Sequence, residues 1–377
     1  MVDKRKFKDV EVSLLGLGTM RLPCETEQKR ESNPNIDYEK AQKLVDLAYK
    51  NGVNYYDTAY MYHCGKSEKF IGHALKKYPR NTYFIADKLP IWMCDTKEDM
   101  KRVFDEQLER TGMDYFDFYL LHSLDKENFE KCEKLGAYDF IKQKQKEGKI
   151  KYIGFSFHGT VDDLRRIVSA HDWDFAQIQM NYLDWENQNA KMQYQILEDA
   201  DIPTIVMEPV RGGKLALVNN EIKDMFKSKK PNMSVASWAM GFVASHKSII
   251  TILSGMNSEQ QMLDNLSTLT DFKAFGDDEY SICFKAASIL NKSEVIGCTG
   301  CDYCQPCPKG IKISSFFSLY NRVVSGDVNI QQGREAYDSF AVNPTACAWC
   351  NKCKNHCPQS ISVPDVLEGK VVKLFMQ

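Results

Sequence analysis

Residues 54–88 read NYYDTAYMYHCGKSEKFIGHALKKYPRNTYFIADK and change periodicity twice. The runs NYYDTA (54–59) and YFIADK (83–88) have the length and composition of buried β-strands. The apolar residues that follow Ser67 recur with helical spacing: Phe70, Ile71, Ala74 and Leu75. The segment therefore predicts a strand–helix–strand unit.

The same alternation extends over the first 270 residues. Eight strands are predicted over 12–19, 54–59, 83–88, 116–122, 149–156, 175–180, 203–208 and 248–254. The intervening helices are predicted from Asp37, from Ser67 and from Thr96, and over 131–147, 161–170, 190–200, 234–245 and 258–268. This length and alternation favour an α/β fold of the (β/α)8 TIM barrel type, typically ~250 residues long.

A doubly wound open sheet is the structural alternative. Such a sheet usually carries G-x-G-x-x-G after its first strand, whereas the first strand here gives only GLGT (16–19). The segment DFKAFGDD (271–278) is typical of a linker, and it places a barrel over 1–272 and a second domain over 279–377. One helical stretch over 314–326 makes that second domain mainly α.

The second domain contains most of the thirteen cysteines. Two runs each end in Cys-Pro: Cys298, Cys301, Cys304, Cys307, and Cys347, Cys350, Cys353, Cys357. The second run has the C-x2-C-x2-C-x3-C-P spacing of bacterial ferredoxins, in which the fourth cysteine binds the other cluster. The doubled run predicts a ferredoxin-like domain with two 4Fe–4S clusters. Cys357 would join the first three cysteines, and Cys307 would join Cys347, Cys350 and Cys353.

Two other uses of these cysteines are less compatible with the sequence. A disulfide framework requires an oxidising compartment, and the N-terminal residues MVDKRKFKDVEV carry no apolar export signal. Zinc also binds paired cysteines, but the Cys-Pro endings and the three-residue steps favour iron–sulfur. The remaining cysteines are expected to be small core residues: Cys24, Cys64, Cys94, Cys132 and Cys283.

Charge and hydropathy narrow the function classes. The 377 residues include 49 Lys+Arg and 51 Asp+Glu, a formal net charge of −2, so the basic excess of a nucleic-acid-binding protein is missing. No apolar run reaches the ~18 residues of a membrane span. We therefore expect a cytoplasmic protein that acts on small molecules.

Polar residues at the predicted strand ends indicate which reaction the protein catalyses. Asp57 and Lys88 end the second and third strands, His122 ends the fourth, and Tyr62 follows Asp57 by five residues. The C-terminal strand ends form the active-site rim of a barrel. A carbonyl that accepts a hydride becomes an alkoxide and needs a nearby proton donor. Tyr62 can be that donor, because an adjacent ammonium such as that of Lys88 stabilises a phenolate.

These residues lie in motifs that together resemble the aldo/keto reductase family. The motifs follow the family's order over residues 7–270: LGLGTMRLP (15–23), D-T-A-x-x-Y (57–62), GKSE (65–68), ADK (86–88), LLH (120–122), GFS (154–156) and QIQMN (177–181). The tail resembles the branch that carries a C-terminal ferredoxin-like domain. The resemblance implies a (β/α)8 barrel, NADP or NAD bound without a Rossmann fold, and the catalytic tetrad Asp57, Tyr62, Lys88 and His122.

The resemblance also implies a cofactor site, with departures from the family. Ser156 and Gln177 would contact the nicotinamide carboxamide, and Phe157 replaces the usual asparagine. Met207 stands where many members stack an aromatic ring. The other implied contacts are Thr19, Met20, Asp57, Arg211, Gly212, Ser254, Gly255, Asp264 and Asn265. The segment 254–265 lacks the lysine and arginine that bind the 2′-phosphate of NADP in other members. Arg211 or Lys214, in the loop after the seventh strand, could supply one such contact, and NAD is at least as compatible as NADP.

A nicotinamide transfers a hydride, whereas a 4Fe–4S cluster transfers one electron. Three interpretations follow for the clusters. They could exchange electrons with a ferredoxin or flavoprotein partner while the barrel interconverts a carbonyl and an alcohol, or they could only stabilise their domain. In the third, the protein is a redox-sensing or electron-transfer module without carbonyl turnover, against which the complete tetrad argues.

Overall fold

The structure is a computed structural model that describes residues 1–25, 35–292 and 294–376. The described residues form two compact units. The first contains residues 1–25, 35–211 and 215–287, and the second contains residues 212–214, 288–292 and 294–376.

The first unit is a closed barrel of eight parallel strands preceded by a two-stranded antiparallel hairpin. The hairpin strands are β1 (Lys4–Phe7) and β2 (Val10–Ser13). The barrel strands are β3 (Leu15–Gly18), β4 (Tyr55–Asp57), β5 (Phe84–Leu89), β6 (Phe116–Leu124), β7 (Ile150–Phe157), β8 (Phe175–Gln179), β9 (Thr204–Met207) and β10 (Ile249–Ser254). They lie in chain order, and β10 pairs with β3. The prediction of a (β/α)8 barrel is confirmed, and the open sheet is excluded.

The predicted first strand, 12–19, is wrong at its start. Val12 and Ser13 belong to the hairpin, and the barrel strand begins at Leu15. Polar pairing at Ser13 separates the two strands: its backbone N–H donates to Asn54 Oδ1 (2.8 Å), and its hydroxyl donates to the Leu15 carbonyl (2.7 Å). The hairpin residue Phe7 packs into the same apolar cluster as the barrel residue Phe118.

Helices separate the barrel strands. They are α1 (Tyr38–Lys50), α2 (Lys66–Leu75), α3 (Lys97–Thr111), α4 (Lys126–Leu135), α5 (Ala137–Lys146), α6 (Val161–Ala170), α7 (Asp184–Asn187), α8 (Ala190–Asp199), α9 (Asn220–Lys229), α10 (Val235–Ala244), α11 (Glu259–Thr268) and α12 (Asp277–Asn291). The single helix predicted over 131–147 is two helices. Gly136, with φ +69°, ends the first of them and allows the chain to turn.

The end of the first unit differs from the predicted linker. Phe275 is buried and packs against the Trp238 ring at 5.4 Å, and α12 begins at Asp277. The segment 271–278 therefore contributes to the core, because Phe275 has an apolar partner on α10.

The second unit is small and mainly helical. Its helices are α13 (Ile313–Val324), α14 (Ile330–Asp338), α15 (Lys352–Asn355), α16 (Val363–Val366) and α17 (Lys373–Met376), with a π-helical segment, Leu367–Val372, before the last. Its core includes Phe316, Phe317, Tyr337 and Val371. The cysteines Cys298, Cys304, Cys307, Cys347 and Cys353 pack against that core. Across the described residues, no helix combines the length and apolarity that a bilayer span requires.

Candidate active site

The predicted tetrad lies at the C-terminal ends of three neighbouring strands. Asp57 is the last residue of β4, Lys88 lies on β5 and His122 on β6. Tyr62 begins a short 3-10 turn, Tyr62–Gly65, in the loop that follows β4. Parallel pairing of β4 with β5 and of β5 with β6 brings these ends to one rim of the barrel.

The ammonium group of Lys88 connects the tetrad. Its Nζ donates to Asp57 Oδ1 and to the Thr58 carbonyl oxygen, both at 2.7 Å, and it lies 3.4 Å from Tyr62 Oη. The Lys88 side chain has 0% exposure. A charge removed from water in this way requires a partner, and the Asp57 carboxylate supplies it. The geometry places a positive charge beside the phenol oxygen.

Burial also perturbs the two other ionisable partners. It raises the pKa of Asp57, and the Lys88 charge opposes that rise. Burial lowers the pKa of His122 well below its ordinary value of 6.5, and the charges of Lys88 and His158 lower it further. His122 is therefore a neutral imidazole at pH 7. Its ring lies 6.3 Å from the Tyr62 ring and 5.0 Å from the Trp92 ring.

Thr19 has its hydroxyl engaged within the protein. Thr19 Oγ1 donates to the Asp57 carbonyl (2.8 Å) and accepts from Ser67 Oγ (2.6 Å), which in turn accepts from Thr58. This chain of hydroxyl groups ties the end of β3 and the start of α2 to the residue that holds Lys88. Thr19 thus supports the tetrad, and the neighbouring Met20 is half-buried.

Two residues predicted to bind the nicotinamide lie on adjacent strands, β7 and β8. Ser156 pairs in register with Gln177, and both are buried. Ser156 Oγ accepts from the Ser123 backbone N–H at 2.7 Å, which leaves its hydroxyl hydrogen to donate. Gln177 Nε2 donates to the Met207 sulfur at 3.4 Å, while Gln177 Oε1 is buried without a hydrogen-bond partner. These polar atoms match the acceptor and donor of a carboxamide.

The residues predicted to contact the adenosine half lie at the end of β10 and on α11. Asn265 Nδ2 donates to Ser254 Oγ at 3.0 Å, and Asp264 Oδ2 accepts from Ser234 Oγ at 2.6 Å. These hydrogen bonds tie the middle of α11 to Ser254 at the end of β10 and to Ser234 just before α10. A Cβ on Gly255 would lie 3.0 Å from the side chain of Arg21, which the sequence prediction did not include.

Both rim arginines are paired with carboxylates. Arg21 Nη2 lies 2.9 Å from Glu208 Oε1, and Arg211 Nε lies 3.2 Å from Asp184 Oδ1. Gly212, the next predicted contact, has φ +65° and so requires a residue without a Cβ. The positive charge at this rim is therefore largely compensated.

The sequence analysis did not predict a buried polar network that contacts the Lys88 backbone. Gln107 Nε2 donates to Asp87 Oδ1 (2.8 Å) and to the Lys88 carbonyl (2.9 Å), and Arg110 Nη1 donates to Glu68 Oε2 (2.9 Å). Burial and the neighbouring Glu68 carboxyl raise the pKa of Asp87 well above its usual range. Its members come from α2, α3 and β5, so their proximity follows from tertiary packing and no local motif indicates it.

The scattered cysteines agree only partly with the expectation that they are core residues. Cys94, Cys132 and Cys283 are buried, but Cys24 is half-buried and Cys64 is exposed. Cys24 Sγ lies 3.9 Å from His63 Nδ1, so the loops that follow β3 and β4 bring these two residues together. That contact is long-range and could not be predicted from the spacing of either residue.

None of the eight clustered cysteines, which all lie in the second unit, is part of a disulfide. Burial raises the pKa of Cys304, and the thiols of Cys301, Cys298 and Cys357 add to the rise. Burial likewise raises the pKa of Cys353, to which Cys347 and Cys350 contribute. Cys357 is thus close to the first run. Among the described residues, no three His, Cys, Asp or Glu side chains converge as ligands of a single metal ion.

Comparison with known families agrees with this combination of a barrel and a cysteine-rich unit. Residues 14–287 match the aldo/keto reductase family, and residues 297–362 match a 4Fe–4S dicluster domain. The first match covers well over half of the chain. The chain therefore belongs to the aldo/keto reductase family, and it is an oxidoreductase with a C-terminal 4Fe–4S domain.

Individual relatives are distant. An aldo-keto reductase of Gibberella moniliformis is 32% identical over 163 residues, 41% of this chain and 46% of that protein. The NADH-specific methylglyoxal reductase of Escherichia coli is 25% identical over 304 residues, 69% of this chain and 91% of that protein. The holo form of an aldo-keto reductase from Bacillus halodurans superposes with a TM-score of 0.61 at 22% identity, covering 76% of this chain and 96% of that one. The last likeness supports the fold alone.

Proposed function

We propose that the barrel interconverts a small carbonyl compound and its alcohol by hydride transfer, with Tyr62 as the proton donor. The supporting observation is the position of Lys88 Nζ, 3.4 Å from Tyr62 Oη and 2.7 Å from Asp57 Oδ1. A buried ammonium at that place stabilises negative charge on the phenol oxygen as the proton leaves.

Each tetrad residue then has a distinct role. When bound, the nicotinamide supplies the hydride to the carbonyl carbon. Tyr62 gives its hydroxyl proton to the oxygen that becomes an alkoxide. His122, held neutral by burial, donates a hydrogen bond that orients the carbonyl oxygen and does not act as the acid. Asp57 keeps Lys88 charged and in place. In alcohol oxidation, the Tyr62 oxygen takes the proton back.

The residues at the ends of β7 and β8 fit a nicotinamide carboxamide. The unpartnered Gln177 Oε1 would accept from its amide N–H, and the Ser156 hydroxyl would donate to its oxygen. Met207, whose sulfur accepts a hydrogen bond from Gln177 Nε2, would pack against the ring. The rest of the proposed cofactor site consists of Thr19, Met20, Arg211, Gly212, Ser254, Gly255, Asp264 and Asn265.

We propose NAD as the preferred cofactor over NADP. A 2′-phosphate requires charge-assisted hydrogen bonds from free basic groups. Arg21 and Arg211 are both engaged by carboxylates, and the segment 254–265 contains neither lysine nor arginine. The Escherichia coli relative is named for its NADH specificity, which is consistent with this preference.

We further propose two 4Fe–4S clusters with crossed ligation in the second, cysteine-rich unit. The contribution of Cys357 to the raised pKa values of Cys298 and Cys304 supports this assignment. One cluster would be held by Cys298, Cys301, Cys304 and Cys357, and the other by Cys347, Cys350, Cys353 and Cys307. A backbone N–H also donates to a ligand sulfur, from Gly300 to Cys298 Sγ at 3.4 Å.

We propose that the clusters exchange single electrons with a ferredoxin or a flavoprotein. We also propose that the protein is cytoplasmic. A redox-sensing or electron-transfer module without carbonyl turnover is the second candidate. It draws support from the exposure of Cys350, which would bring one cluster close to the protein surface. Carbonyl turnover by the unaltered protein that a tetrad variant loses would support the first candidate, and absence of turnover in the unaltered protein would support the second.

The test is Tyr62→Phe, which removes only the acidic oxygen. General acid catalysis contributes about 10²–10⁴-fold, so we expect kcat for methylglyoxal reduction with NADH to fall by that factor. Binding of NADH, followed by fluorescence, should remain unchanged. Tyr60→Phe is the matched control, because Tyr60 Oη bonds to Glu106 Oε2 away from Lys88. Full turnover in Tyr62→Phe would contradict the proposed chemistry.

A further inference from the structure

The second cysteine run has an unusually exposed segment around Cys350. Cys350 is exposed, whereas the other seven cysteines of the two runs are half-buried. Trp349 beside it is 47% exposed. Trp349 and Asn351 flank Cys350 with φ of +53° and +57°, in the left-handed region. A bulky residue rarely adopts that conformation, and such strain is retained mainly at functional positions.

Basic residues lie close to this segment along the chain. Residues 339–364 include Lys352 and Lys354 but no aspartate or glutamate, and residues 303–326 include Lys309 and Lys312, again without an acid. Lys309, Lys352 and Lys354 are exposed. Gly310 lies against Val342, which brings the loop of Lys309 next to the second run. Within the described part of the chain, neither Lys352 nor Lys354 has a carboxylate within ion-pair distance.

We propose that residues 348–354, together with Lys309, form a docking surface for a small acidic one-electron carrier protein of the ferredoxin kind. This inference rests on the proposed cluster held by Cys347, Cys350, Cys353 and Cys307. On docking, the reduced carrier would give up one electron and become oxidised, and the cluster held by these cysteines would accept that electron. Cys350 is the most exposed of its four proposed ligands.

The features of the surface fit such a partner. Exposed lysines attract an acidic protein and raise its association rate. Transient redox complexes bury little surface, so one exposed aromatic residue such as Trp349 can provide the central apolar contact. A second copy of this chain fits less well, because two identical basic surfaces repel each other.

The first experiment measures binding by the full-length, iron-replete protein. The probe is an oxidised, acidic plant-type [2Fe–2S] ferredoxin, titrated by calorimetry at low and at physiological ionic strength. We expect the affinity to fall with salt and the double variant K352E/K354E to weaken it by about tenfold or more. The variant K76E/K146E is the matched control, since it makes the same charge change at two exposed lysines of the barrel unit. Trp349→Ala should weaken binding without changing its salt dependence.

The second experiment separates failure of docking from failure of the clusters. Stopped-flow absorbance follows reduction of the clusters by reduced ferredoxin and, separately, by the methyl viologen radical cation, which needs no docking surface. We expect K352E/K354E to slow only the reaction with ferredoxin, with iron and sulfide content unchanged. The docking surface would be overturned if wild type and K352E/K354E bound ferredoxin with equal affinity and were reduced by it at equal rates. Self-association of the protein in place of ferredoxin binding would also overturn it. Clusters that the viologen also fails to reduce would overturn the proposed electron exchange, and the docking surface with it.

Discussion

At the level of single residues, the site depends on one buried charge. Lys88 is inaccessible to water, and Asp57 supplies its one carboxylate contact within 4 Å among the described residues. Removing one partner of a buried pair leaves an uncompensated charge and costs about 3–5 kcal/mol. The exposed pair of Lys101 and Asp105 lies at a similar distance, 2.6 Å, but is solvated and screened. Asp57 is therefore required for stability as well as for the charge state of Lys88.

The lowered pKa of His122 leads to a prediction for the pH dependence of the reaction. Because His122 is already neutral at pH 6.5 and above, we expect kcat/KM for carbonyl reduction to show no acid limb at 6.5 from this residue. Steady-state kinetics across the acidic range measures this. An acid limb at that pH that disappears in His122→Asn, but persists in the exposed-site control His73→Asn, would contradict the assignment.

The lowered pKa of His122 also affects how folding stability depends on pH. The unfolded chain binds a proton at His122 near pH 6.5, whereas the folded protein does so only at lower pH. Since the unfolded state then binds more protons, stability falls as the pH drops below that value. Replacing His122 by asparagine should remove this part of the acid destabilisation.

A second residue-level prediction concerns cofactor choice. Arg21 packs against Gly255 and is neutralised by Glu208 Oε1 at 2.9 Å. In Glu208→Gln the guanidinium loses its carboxylate and can bind a 2′-phosphate. We expect NADPH affinity to rise by about 5–10-fold while NADH affinity is unchanged. Glu186→Gln, at an exposed position, is the control with the same charge change. Unaltered NADPH affinity in Glu208→Gln would exclude Arg21 as the determinant.

At the level of elements, the strands were more predictable than their connections. The period of the apolar residues identified all eight barrel strands, because a strand buried on both faces must be apolar throughout. Strand β1 was missed, since the three basic residues Lys4, Arg5 and Lys6 precede its single buried residue, Phe7. The helix over 131–147 was predicted as one because the left-handed Gly136 falls within an otherwise helical pattern.

Some residues of the candidate site could also be predicted from the sequence, and others could not. Asp57, Tyr62, Lys88 and His122 could be selected from sequence, because each lies at or just after a strand end, and parallel strand ends meet at one rim. The network of Glu68, Asp87, Gln107 and Arg110 could not, since its hydrogen bonds span up to 42 positions. The pairing of Arg21 with Glu208 spans 187 positions and was equally inaccessible.

The helical second unit permits an element-level test of crossed ligation. If Cys357 belongs with the first run, Cys357→Ser should remove the cluster held by Cys298, Cys301 and Cys304 and retain the other. We therefore expect about half of the iron to be lost and one of two electron paramagnetic resonance signals to disappear after reduction. The matched control is Cys64→Ser, at an exposed cysteine outside the runs, which should keep all of its iron. Loss of the other cluster would indicate uncrossed ligation.

At the level of the whole molecule, two kinds of redox chemistry lie on one chain. The barrel residues serve the transfer of a hydride, which carries two electrons, while a 4Fe–4S cluster accepts one electron at a time. Direct exchange between them requires a converter such as a flavin. Under the proposed function, the clusters therefore exchange electrons with an outside carrier rather than with the nicotinamide.

The most direct test asks whether electrons pass from the nicotinamide to the clusters. The iron-replete protein is titrated anaerobically with NADH, and both the visible absorbance of the clusters and the nucleotide fluorescence are followed. Dithionite, added last, shows that the clusters can be reduced under the same conditions. We predict that NADH binds, as the fluorescence change reports, while the cluster absorbance stays constant until dithionite bleaches it. Bleaching by NADH alone would contradict the division and would show that electrons pass from the nicotinamide to the clusters.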